Sequence, residues 1–170
     1  MKFMILQGEN RRIAFKTYNA YGRFIHHLYE FLLGAAARER GDDATLTAQM
    51  AEQYIAGYAG RALIARREAI LNGTAPSWEN HISYFPETIP PEFAREFRTF
   101  RNVVSGHVSG ERVSLNLSDF YDRNHKLLGI LFRHAGSHWG KIGDDFPDLK
   151  EITAFTVMVR ENGVEPSMAT

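Results

Sequence analysis

The chain has 170 residues, 44% of them hydrophobic, with 20 basic and 20 acidic side chains and no formal net charge. That is length for one domain with a real core, and too even a balance for a protein that grips nucleic acid over a broad basic face, although a local basic pocket stays open. The absence of cysteine excludes disulfides, thiol chemistry and Cys-type zinc sites and fits a cytoplasmic setting, while no apolar run approaches the roughly 18 residues of a membrane span.

Residues 1–10 read as a short lead, a strand or a loose arm, too short and too soon polar for a signal peptide. From Arg11 to Arg40 the spacing predicts a helix, with Ile13, Tyr18, Tyr21, Ile25, Leu28 and Leu32 as its apolar stripe. Gly34 and Ala35–Ala37 offer a place for another helix to come close. Adjacent His26 and His27 point about 100° apart and so read as surface rather than one metal site. Glu30, one turn beyond His26, reads as its surface partner.

The break at Gly41–Asp43 leads into a second helix, which Asp43 or Thr45 would cap and which runs to about Leu71. Leu46, Met50, Tyr54, Tyr58, Ala62 and Ala65 are its expected buried side. Gly57 and Gly60 would permit close contact, and Arg61, Arg66 and Arg67 suit the negative end of the helix dipole. Asn72–Gly73 closes it. Residues 74–91 are a proline-broken loop, and its Trp78, Tyr84 and Phe85 are expected to fold back on the core, with a base-stacking surface as the other reading.

Pro90–Pro91 start a third helix with Phe93, Phe97, Phe100 and Val104 as its stripe and Arg95, Arg98 and Arg101 as a basic ridge beside it. It ends in FRNVVSGHVSG, which sets Arg101, Asn102 and His107 near a glycine break. Arginine offers phosphate a planar fork of donors, and histidine takes and gives protons near neutral pH. Those parts suit phosphodiester cleavage without a metal; the same residues also make ordinary caps at a helix C-terminus. Around an intact helix, Arg101 and His107 would lie about 120° apart, so Gly106 is needed to turn the chain back.

Residues 108–117 alternate apolar and polar, as a short extended segment would. Ser118 or Asp119 would cap a fourth helix whose core face is Phe120, Leu127, Leu128, Leu131 and Phe132. It carries a rival motif, Arg133–His134 with His138 five positions after the arginine. His134 and His138 also have the spacing of a helical zinc pair, but no third ligand stands out, and capping accounts for them too. A last element spans about Pro147 to Arg160, either helix or strand, and residues 161–170 form a frayed tail behind a single domain of residues 1–160.

The order of helix, FRN, apolar stretch ending in histidine, loop and final helix resembles the HEPN superfamily of small helical RNases and nucleotide-binding domains. That family's motif is an arginine, a polar residue and a histidine four to six positions after the arginine, which Arg101, Asn102 and His107 match. The likeness covers residues 11–135 as helix order, and only the motif is specific. It implies an all-α, up-and-down bundle of four or five helices. It implies a homodimer joined through the motif helices, an RNA substrate, no cofactor and no metal. It also implies toxin or phage-defence activity, and so an antitoxin as partner. Arg98, one turn before Arg101, would add a phosphate contact. The competing expectation is a non-catalytic helical module that binds a nucleotide or a protein.

Overall fold

A computed structural model of the chain describes residues 9–42, 44–105 and 116–136. They form an all-helical bundle: α1 (Glu9–Arg40), α2 (Ala48–Leu71), a single 3-10 turn at Ile82–Tyr84, α3 (Phe93–Ser105) and α4 (Leu117–Ala135). Among the described residues there is no strand, and no helix is long and apolar enough to cross a membrane. The lead through residue 8, Gly106 and His107, the segment 108–115, His138, the Pro147–Arg160 element and the tail lie outside the described residues.

The bundle is built on two main pairings, α1 against α3 and α2 against α4, and α2 also leans on α3. Aromatic rings join them. Phe97 meets Tyr29 edge-on with ring centres 5.2 Å apart, and Phe100 stacks on Phe120 at 3.9 Å. Ile25, Leu32, Ile55, Phe93, Phe97, Phe120, Leu128 and Leu131 are wholly sealed from solvent. Each such side chain contributes on the order of 1.5–3 kcal/mol by leaving water, so this cluster, more than helix propensity, fixes the fold. Within it, Asn124 is a buried polar group whose amide donates to Glu96 Oε2 at 2.7 Å and ties α4 to α3.

Several expectations shift by a residue or two. Thr47, not Thr45, caps α2: its hydroxyl accepts from the Met50 N–H at 3.2 Å. Asp43 lies outside the described residues, and its neighbour Asp42 turns the connection by accepting from the Ala44 N–H. Asn116, not Ser118 or Asp119, caps α4 and accepts from the Asp119 N–H. In α2 the buried face is Ala51, Ile55, Tyr58, Ala59, Ala62 and Leu63, so Met50 is turned out at 46% exposure and Ala65 is exposed as well. Ile13, Phe132 and Trp78 are likewise exposed, whereas Phe85 is buried.

Arg66 and Arg67 do not serve the α2 dipole. Arg66 pairs with Glu79 at 2.6 Å, and Arg67 donates to the carbonyls of Phe85 and Pro86. Together they clamp the 74–91 loop onto α2. Asn72 closes α2 as expected, and Gly73 turns the chain with φ of 69°. Close helix approach falls at Gly22 rather than at Gly34, Gly57 or Gly60: a Cβ at Gly22 would collide with Val104 Cγ1.

Candidate functional site

The stripe Phe93–Phe97–Phe100 pins α3 into the core and turns its arginines to the rim. Arg95 is exposed there. Arg98 Nε donates to Glu52 Oε1 on α2 at 2.6 Å. Arg101 pairs through Nη2 with Glu30 on α1, donates through Nη1 to Asn102 Oδ1 at 2.8 Å, and lies over the Tyr29 ring with 5.3 Å to its centre. Burial raises the Tyr29 phenol pKa above its ordinary value, against the lowering pull of Arg98 and Arg101. Partly exposed ion pairs of this kind contribute about 0–1 kcal/mol. Their main effect is to set the direction of each guanidinium, which keeps 29% of its side chain in reach of solvent.

Beyond Arg101 the α1–α3 seam opens into a cavity of about 230 Å³ lined by Asn19, Gly22, Arg23, His26 and Val104. Val104 stands one helical turn after Arg101, and His26 one turn before Glu30, so pair and cavity share one seam. Of the two adjacent histidines, His27 is exposed but His26 is half-buried, with Nδ1 sealed from solvent and without a hydrogen-bond partner. Glu30 serves Arg101 instead of His26.

The structure thus brings Arg101 and Asn102 together and ties Arg98 to a carboxylate one turn away; His107 lies outside the described residues. In the rival motif, Arg133 is exposed, while the half-buried His134 sets its ring edge-on to Tyr58 at 5.3 Å. His134 also lines a second cavity, of about 270 Å³, walled by α2 alanines, Arg66 and Thr74. Among the described residues no three histidines, aspartates or glutamates gather as a metal site would require.

Sequence reasoning missed Glu30, Glu52 and His26 as parts of this region. Glu30 carried a signal: a lone acid inside the apolar run LYEFLL needs a cation from another element. His26 carried none, because its burial depends on Gly22 letting α3 close in. No family model, no curated protein and no solved structure matches the chain.

Proposed function

We propose that the chain is a HEPN-type, metal-independent endoribonuclease. Arg101 would hold the scissile phosphate and meet its developing charge. His107 would take the proton from the ribose 2′-OH or give one to the leaving 5′-oxygen. The 2′-oxygen then bonds to phosphorus as the bond to the 5′-oxygen breaks, leaving a 2′,3′-cyclic phosphate and a 5′-hydroxyl. DNA, lacking the attacking group, would be inert. Asn102 spends its carbonyl oxygen on Arg101, which leaves its NH₂ group for a phosphate oxygen. The partner would be a second copy, joined through the α3 ends so that two Arg/His sets share one cleft.

The observation that supports this reading most is the pre-set Arg101, held by Glu30, Asn102 and Tyr29 in the same seam as a cavity lined by Asn19, Arg23 and His26. The test is RNA cleavage by Arg101→Ala, His107→Ala and His138→Ala. The first two should lose cleavage and the third keep it, with helicity unchanged. The reverse pattern would move the site to Arg133, His134 and His138.

A second reading has its own observation. Glu52 and Glu30 offset two of the three arginines of the α3 ridge. A non-catalytic module, bound to a nucleotide or a protein through another face, needs no more than that.

A further inference from the structure

We propose that Asn19, Arg23 and His26 form a phosphate-binding subsite in the α1–α3 seam, filled by a phosphodiester that flanks the one held at Arg101. The proposal rests on the nuclease reading for the origin of that phosphate; the subsite itself follows from the geometry of the seam.

Asn19, Arg23, His26 and Glu30 fall at steps of four, three and four, which sets them in one row along α1. Across the seam stand Val104 and Arg101. The row therefore begins with three residues that can donate to an anion and ends at the carboxylate that fixes Arg101. His26 and Glu30 are about 6 Å apart along the helix axis, comparable with one step between phosphates of an extended strand.

Three features make the cavity an anion site. None of its lining residues is acidic. Arg23 is exposed at the cavity mouth and makes no ion pair among the described residues, unlike Arg98 and Arg101, so its charge is not offset. His26 Nδ1 is buried without a partner, and a buried polar nitrogen left unmet costs about 1–3 kcal/mol. A turn of the His26 ring that brings Nδ1 to the cavity wall lets a phosphate oxygen accept from it, with Arg23 and the Asn19 amide on its other oxygens, and removes that cost. Gly22 and Val104 supply an apolar floor with no competing side-chain acceptor. In a chain of zero net charge, phosphates must be caught by such local groups rather than by a general basic field.

The test follows the ring signals of His26 by NMR in protein with labelled histidines, assigned by their loss in His26→Gln. One titration uses inorganic phosphate. The other uses a short 2′-deoxyoligonucleotide, which carries phosphodiesters but cannot be cut. Both should move the His26 signals saturably, the oligonucleotide at far lower concentration. Arg23→Gln should weaken both by about tenfold, the equivalent of one charge-assisted hydrogen bond, with thermal melting unchanged. Signals that ignore both ligands, or respond equally in Arg23→Gln, overturn the subsite. A response to phosphate but not to the oligonucleotide overturns it as a place for a nucleic-acid strand. A normal response in a protein that cuts no RNA retires the nuclease and leaves the subsite standing.

Discussion

At the scale of single residues, Gly22 sets how near α1 and α3 can come, because any Cβ there would enter the space of Val104 Cγ1. Valine is stiff at χ1 and cannot swing aside cheaply. Gly22→Ala should therefore lower stability in urea unfolding by about 1–3 kcal/mol, as overpacking does, despite alanine's better helix propensity. Val104→Ala in the same chain should restore most of the loss; no rescue would mean the strain lies elsewhere. Glu30 offers a second test. Glu30→Gln keeps an acceptor for Arg101 but, on the proposed nuclease reading, removes a charge that would compete with phosphate. The expected result is a lower KM for RNA, by up to about fivefold given what exposed pairs contribute, with melting unchanged. A higher KM would show that Glu30 assists binding through its charge.

At the scale of elements, the helices were legible and their faces less so. The stripe Phe93–Phe97–Phe100 is unambiguous because phenylalanines are large and regularly spaced, and α3 buries all three. In α2 the apolar positions are mostly alanines, which mark a face weakly, so Met50 and Tyr54 outweighed Ala51 and Ile55 and the expected face was rotated. Caps were misplaced for a related reason: Thr45 and Thr47, or Asn116, Ser118 and Asp119, are all competent, and only the packing of the helix decides which one stands at its first turn. Arg66 and Arg67 were misread because a clamp depends on where residues 74–91 return, which spacing along α2 does not encode. Of the candidate site, Arg101 and Asn102 could be chosen from the motif. Glu30, the partner of Arg101, is 71 positions away and needed the fold. Arg67→Ala, which frees the Phe85 and Pro86 carbonyls, should make the 74–91 loop cut by protease several times faster while α2 keeps its helicity. Unchanged cutting would mean that the Arg66–Glu79 pair and buried Phe85 hold the loop without Arg67.

At the scale of the whole molecule, buried phenols couple stability to pH. The Tyr21 and Tyr54 pKa values are both pushed up to about 12, chiefly by burial, with the Tyr121 phenol adding at Tyr21 and the Glu39 charge at Tyr54. In the unfolded chain such groups lose their protons near pH 10. The folded state then binds more protons than the unfolded one. The contribution is thus whole below about pH 10 and lost as pH rises towards about 12. Urea midpoints should fall across that window, and less steeply in Tyr21→Phe with Tyr54→Phe; an equal slope would assign the loss to other groups. The central claim concerns chemistry, and one assay tests it most directly: purified protein, a structured RNA and excess EDTA, with the product ends identified. The account predicts cleavage that survives chelation and leaves 2′,3′-cyclic phosphate and 5′-hydroxyl ends. Cleavage that stops with EDTA, or that leaves 5′-phosphates, would contradict it.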